Sequence, residues 1–260
     1  MKNALPLTCL VALMALGSPT LLAQDKPSPA AATKATALPS GESVLDKYIE
    51  SIGGKEAIKK VKNAVFKGSV SLMGMSGSVT IHRATPNLFV FEIEFPGMQG
   101  SNMMQGFKQG FDGKNDWSVN QNGPHIQSDK DTNQIKNQII LAEDWRSVYS
   151  KAETVGLETI DGEECYKVAV TPKVGVALTN YYSKKSGLLL RFDLPADSRG
   201  VVQVGCKDYR RVGDMMLPFQ AVIYQDGLNI VMTFSEIKVN ADLPPTAFDP
   251  PAEVKALLNK

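Results

Sequence analysis

From Ala64 onward, apolar and polar positions alternate along the chain. Phe66, Val70 and Leu72 fall on one side of an extended segment, with Lys67, Ser69 and Ser71 on the other. A period of two is the pattern of a half-buried strand. The stretch from Gly74 to Gly77 interrupts it, and Val79 and Ile81 resume it, so the pair reads as a hairpin. In "LFVFEIEF", Phe89, Phe91, Ile93 and Phe95 line one face, and Glu92 and Glu94 the other. Asp112-Gly113 marks a further turn, flanked by Phe111 and Trp117. Later strands are predicted near 152–160, 163–171, 177–183, 188–193, 201–211, 216–225 and 228–238. Asp161-Gly162, Ser186-Gly187, Gly213-Asp214 and Asp226-Gly227 separate them. This spacing is close to the ten-residue beat of an antiparallel meander.

Two stretches follow a helical period instead. Leu45, Tyr48, Ile49 and Ile52 lie at i, i+3, i+4 and i+7, one stripe of an amphipathic helix. Ser40 is placed to cap its start, and Gly53-Gly54 to end it. A shorter helix follows, with Ala57, Ile58 and Val61 inward. Residues 129–149 then break the strand series with one or two helices, capped by Asp131 or Thr132. Ile135, Ile139 and Ala142 form one stripe there; Leu141, Trp145 and Val148 form another. A helix apolar on two sides is covered on two sides, which suits a lid over an open sheet. The tail 242–260 carries four prolines, which bar a central strand, and a short helix is predicted from Glu253 to Leu258.

These elements add up to about eleven strands with no parallel crossover. A twisted antiparallel sheet of that size curls, so an incomplete or closed barrel is expected rather than a flat sheet. The fold class is therefore mainly β with a helical lid.

The N-terminus changes the picture of where the protein works. Lys2 is followed by an apolar run from Ala4 to Gly17 and a small residue, Ala23, ahead of Gln24. Residues 1–23 read as a secretory signal peptide, and the chain as exported and periplasmic. A lipoprotein reading through Cys9 fits poorly, because Leu7 and Thr8 precede it and it lies within the run. Residues 24–39 are rich in Ala, Pro, Thr and Lys and read as a flexible linker, leaving 40–260 as a single domain. Export permits a disulfide between Cys165 and Cys206, but two predicted strands separate theirs. Strands lie about 4.8 Å apart and a bridge needs Cα atoms within about 7 Å, so free buried thiols are expected.

Charge argues against some partners. The chain has 28 basic and 27 acidic residues, which offers no field for nucleic acid. Lys55, Lys59, Lys60 and Lys62 form a solvated helix face, with docking to an acidic partner or lipid headgroups as the sharper reading. Candidate chemistry is sparse. His82 and His125, the only histidines, lie in separate segments without ligand-spaced partners, and His82 reads as an exposed strand residue. No nucleophile elbow, phosphate-cradling loop, C-x-x-C or H-E-x-x-H is present. Asp112, Asp161 and Asp226 are explained by their turns. A non-enzymatic protein with no cofactor and no metal is expected, with an enzyme of unrecognised type as an alternative.

What remains is the lining. Phe66, Phe89, Phe91 and Phe95 cluster in one third of the chain with Met73, Met75, Met98, Met103 and Met104. Methionine adapts to varied apolar shapes, and wide barrels enclose cavities that side chains cannot fill. An ordinary core is the competing account.

Five blocks carry a resemblance: "YIESIGGKEAIKKVKNAVFKGSVSLMGMSGSV" (48–79), "GFDGKNDW" (110–117), "IDGEECYKVAVTP" (160–172), "YYSKKSGLLLR" (181–191) and "DMMLPFQ" (214–220). In this order they resemble the outer-membrane lipoprotein-sorting-like proteins of the LolA/LolB-like superfamily of periplasmic lipid carriers. The resemblance implies an unclosed antiparallel barrel with a helical lid over an apolar cavity that takes acyl chains. The expected cavity lining is Phe66, Val70, Phe89, Phe91, Ile93 and Trp117, with Leu141 and Trp145 as lid contacts. The expected ligand is an apolar lipid or acyl chain. An envelope lipoprotein or membrane-bound partner, and an envelope protein-binding or sensor module without lipid, stand as alternatives.

Overall fold

The computed structural model describes residues 38–96, 106–126, 144–173, 176–195 and 200–258. Helix α1 (Gly41–Ser51) starts where Ser40 accepts a hydrogen bond from the Ser43 amide through its hydroxyl, at 3.2 Å. Its apolar stripe, Leu45, Ile49 and Ile52, is buried, and Gly53 and Gly54 end it at positive φ. Helix α2 (Gly54–Lys60) buries Ala57 and Ile58.

One antiparallel sheet of thirteen strands makes up the body, two more than expected. Its strands are β1 (Asn63–Leu72), β2 (Met75–Ala84), β3 (Leu88–Glu94), β4 (Gly106–Phe111), β5 (Asp116–Asn120), β6 (Gly123–Ile126), β7 (Tyr149–Ile160), β8 (Glu163–Pro172), β9 (Leu178–Ser183), β10 (Leu189–Pro195), β11 (Val201–Val212), β12 (Met215–Gln225) and β13 (Leu228–Val239). The excess arises where short strands pair through tight turns that composition alone does not separate, as at β5–β6. A turn of α-helix, α3 (Trp145–Val148), precedes β7, and α4 (Ala252–Leu258) closes the chain.

Strand order is β6-β5-β4-β3-β2-β1-β13-β12-β11-β10-β9-β8-β7. Every step but one is a link between consecutive strands. The exception is the seam where β1 pairs with β13, with Ala64 opposite Val239 and Leu72 opposite Ile230. The two edges are therefore β6 and β7, neighbours in sequence, and the sheet does not close between them. Residues 127–143, which link them, lie outside the described residues, and with them Ile135, Ile139, Leu141 and Ala142 of the expected helical insert.

The hairpin turns follow the expected chemistry. Asp161-Gly162 and Asp226-Gly227 both hold two successive positive φ angles, the requirement of a tight two-residue turn. The first hairpin turns at Met73-Gly74 rather than across Gly74 to Gly77; Gly77 lies within β2. It is glycine there because a Cβ would stand 2.2 Å from the Glu94 carbonyl oxygen. Met73 at the tip is exposed, while Met75 packs on the core.

One large core cluster spans the sheet. It takes Phe66, Val70 and Leu72 from β1, Val79 and Ile81 from β2, and Ile93 from β3. Val168 and Val170 of β8, Leu217 and Phe219 of β12, and Ile230 and Met232 of β13 continue it. These are alternate residues on each strand, so one side of the sheet is the core side throughout. Helices α1 and α2 lie on that side, through Leu45, Ile49 and Ile58.

Candidate functional site

The core side divides into a clamped half and an aromatic half. On the clamped half α1 is tied down at both ends. Gly41 lies so close to β7 that a Cβ would meet the Ala152 carbonyl carbon at 2.5 Å. At the far end the Met216 amide donates to the Ile52 carbonyl at 3.0 Å, and the Ser51 hydroxyl to the Ser186 carbonyl at 2.8 Å. Trp145, an expected lid contact, is fastened to the same helix. Its indole Nε1 donates to Asp46 Oδ1 at 2.8 Å, and Arg146 forks onto both Asp46 oxygens at 3.0 and 3.2 Å. Arg146 also stacks on the Trp145 ring at 4.2 Å. The Arg146 hydrogen bonds hold the Asp46 carboxyl below its usual range. Trp145 is thus buried against α1.

Beneath α1 the core side carries phenols. Tyr48 and Tyr182 meet at 5.2 Å, and buried Asn180 donates through Nδ2 to the Tyr182 hydroxyl at 2.8 Å. Burial raises the pKa of both phenols, so they stay neutral. Cys206 is a free buried thiol, its pKa pushed up to about 12 by burial, and Cys165 is likewise free, at about 11. They sit on β11 and β8, with β9 and β10 between them, as strand spacing required.

The aromatic half is built by β1 to β5. Phe66, Val70 and Ile93 are buried there, and Phe89 and Phe91 are half-buried against the same cluster. Phe89 and Phe91 lie parallel with ring centroids 6.5 Å apart, and Phe91 meets Phe107 at 6.1 Å. Arg83 stands over the Phe89 ring at 5.2 Å. Register sets Phe107, Gln109 and Phe111 beside Ile93, Phe91 and Phe89. Five of the six expected lining residues therefore share one side of the sheet.

Trp117 does not. Register sets it opposite Gly110, which pairs with Val90, and these three lie on the outer side. There Trp117 packs with Val90 and Val254 of α4, and with Phe248. Its neighbour is glycine because a Cβ on Gly110 would stand 2.4 Å from the indole ring. The C-terminal tail that covers Trp117 also covers His82, whose ring meets Phe248 edge-on at 6.4 Å. His82 is therefore half-buried rather than exposed, and desolvation lowers its pKa. The proline-rich tail has no periodicity, so nothing in the strand pattern reveals what it covers.

Polar groups elsewhere are spent on structure. Asp112 accepts from the amides of Lys114 and Asn115 at 2.8 and 2.6 Å, a side-chain-closed turn. On the outer side Arg191 reaches Glu158 Oε1 at 3.0 Å and Asp193 Oδ1 at 2.9 Å. The Tyr181 hydroxyl donates to Asp193 at 2.8 Å and Lys167 to Glu158 at 3.0 Å. Two cations thus answer two carboxylates. Among the described residues no group of three or more His, Cys, Asp or Glu is placed to hold a metal.

Several buried polar atoms lack a hydrogen-bond partner among the described residues. Gln225, at the end of β12, is 0% exposed, and neither its amide oxygen nor its amide nitrogen is hydrogen-bonded. Gln109 on β4 leaves its Nε2 in the same condition. An unmet buried amide group costs about 1–3 kcal/mol, so such positions are uncommon in a settled core. Neither glutamine stands out in sequence: each reads as a polar residue near a hairpin turn.

An open antiparallel sheet with one apolar side and a helix strapped across part of it is the architecture of the LolA fold, and known structures share it. A DUF1329 family protein from Desulfovibrio piger matches with a TM-score of 0.56 at 13% identity, over 83% of this chain and 100% of its own. A LolA superfamily protein from Nitrosomonas europaea matches at 0.54 and 15% identity, over 82% of this chain and 99% of its own. A domain from Vibrio parahaemolyticus named for outer-membrane lipoprotein sorting matches at 0.53 and 9% identity, over 85% and 98%. No family model and no curated protein matches the sequence. The chain has a LolA-like fold.

Proposed function

We propose that the protein is an exported, non-enzymatic carrier or binding protein for lipid-like ligands, with residues 1–23 serving as its signal peptide. An acyl chain would lie on the core side of the aromatic half, against Phe66, Val70, Phe89, Phe91 and Ile93. Leu141 would cover the site, and Trp145 would border it from its fixed place against α1. Binding would draw on apolar area removed from water, at about 25 cal/mol per Å². The observation that carries this reading is the half-buried Phe89–Phe91 pair, set beside buried Phe107, on the core side of a sheet left open between β6 and β7. Ordinary core packing would bury those rings fully. The LolA-like fold supports it, since its relatives include a domain named for lipoprotein sorting.

The test is organic extraction and mass spectrometry of protein purified from the periplasm, with uptake of a fluorescent fatty acid by the delipidated protein. Co-purifying lipid and saturable uptake are expected. A lipid-free protein that takes up no probe overturns the reading.

A second reading rests on β7. This twelve-residue edge strand pairs only with β8 among the described residues, and Val155 and Leu157 on it are exposed. Such an edge accepts a partner strand. An envelope lipoprotein's polypeptide or a membrane-bound partner would bind there with or without lipid, and Val155→Lys would abolish pull-down from envelope extract while sparing lipid uptake.

A further inference from the structure

We propose that Gln225 is a polar anchor on the core side of the sheet that donates a hydrogen bond to the carbonyl of an ester-linked acyl chain. The inference rests on the lipid-binding reading and narrows it from apolar ligands in general to acyl esters.

Strand parity sets the direction of the side chain. Met215, Leu217, Phe219, Ala221 and Ile223 of β12 all belong to the core or pack on it, and Gln225 is the next residue in that alternation. Its register partner is Leu228, and the next rung on the same face pairs Ile223 with Ile230. All three are core or core-packed aliphatics. The amide thus sits among hydrocarbon, fully buried, with its two donor hydrogens and its acceptor unmet.

Neither the turn nor the packing asks for glutamine. The turn's special angles fall at Asp226 and Gly227, with φ of 51° and 80°. Methionine or leucine would fill the same space without a polar group. Asn180, another buried amide, meets the need in part: its Nδ2 donates to the Tyr182 hydroxyl at 2.8 Å, while its Oδ1 is unmatched. Gln109 repeats the unmet amide on the aromatic half, beside Phe91. A few unmatched polar groups in a mainly apolar lining is how ligand sites fix orientation. The amide is neutral, so its complement in a dry setting is a neutral carbonyl rather than a charged head.

The experiment compares two ligands that differ in that carbonyl alone: a 1-acylglycerol and the 1-alkylglycerol ether of equal chain length. Each displaces a fluorescent fatty acid from the full-length protein. The wild type should prefer the ester by about three- to tenfold, the effect of one neutral hydrogen bond. Gln225→Met should bring the ratio below about twofold with ether affinity unchanged, as expected when only that bond is lost. Its ligand-free form should melt at the same or a higher temperature.

A wild type without ester preference overturns the proposal whatever the variant does. So does a Gln225→Met protein that keeps the preference, or one that melts earlier, which would give the amide a structural partner. If Gln225→Met does not fold, Gln225→Leu takes its place. Binding of both ligands without discrimination leaves the carrier reading standing and removes only the ester anchor. Binding of neither removes both.

Discussion

The two halves of the sheet bury apolar side chains by different means. On the clamped half, α1 covers the sheet and is fixed by backbone approach at Gly41, a backbone hydrogen bond at Ile52 and the Asp46–Trp145–Arg146 cluster. On the aromatic half, Phe89 and Phe91 remain half-buried on the core side, while the C-terminal tail covers the outer side over Trp117 and His82. The difference teaches where stability and where recognition would reside. A helix held at both ends is a fixed part of the core. A face of partly covered aromatic rings is a surface still able to gain contacts.

Substitutions can break this comparison. The largest effect is expected at Leu45, nearly fully buried in α1. Leu45→Ala should lower unfolding free energy by about 3 kcal/mol in urea titration. A loss below about 1 kcal/mol would mean that the helix is not part of the settled core. Next is Gly110→Ala, which drives a Cβ into the Trp117 ring on the outer side. It should cost about 2 kcal/mol, with release of the tail seen as a rise in Trp fluorescence quenching by acrylamide. Phe91→Ala should behave oppositely to Leu45→Ala. Fatty-acid probe affinity should fall by about tenfold while stability changes by about 1 kcal/mol, because the ring is only half-buried in the free protein. Equal stability losses at Leu45 and Phe91 would erase the distinction between the halves.

The smallest effect is one of pH. Desolvation under the tail lowers the His82 pKa, opposed by the Ala247 carbonyl and Glu92 and assisted by Lys67 and Lys108. The folded protein therefore favours the neutral ring. Its contribution is present above the unfolded value of 6.5 and is lost as pH falls through the folded value. Thermal melts should show stability declining below pH 6.5, by less than about 1 kcal/mol. His82→Gln should flatten that slope; an unchanged slope would place its origin elsewhere.

Much of this could be read from residue order. Asp161-Gly162 and Asp226-Gly227 located their hairpins because two positive φ angles in a row admit few residues. The stripe from Leu45 to Ile52 located α1, because a buried helical face must repeat every three or four residues. Parity grouped Phe89, Phe91 and Ile93 correctly, since cross-strand register preserves faces. The same parity could not say which side Trp117 joined, because that depends on how β5 registers with β4. Nor could it show that an aperiodic tail covers the outer side at His82. The unmet amide of Gln225 is invisible in sequence for a similar reason: hydrogen-bond partners belong to three dimensions.

The seam between β1 and β13 carries a consequence for timing. An early strand and the last one must find each other in the middle of the sheet, after eleven others have been synthesised. Until then β1 has only β2 beside it, and its other margin stays open to misplaced neighbours. A chain halted before Leu228 would retain its hairpins yet lack the piece that joins the two halves. Assembly is therefore sealed at its centre and late, which favours slow maturation and a need for protection while the seam waits.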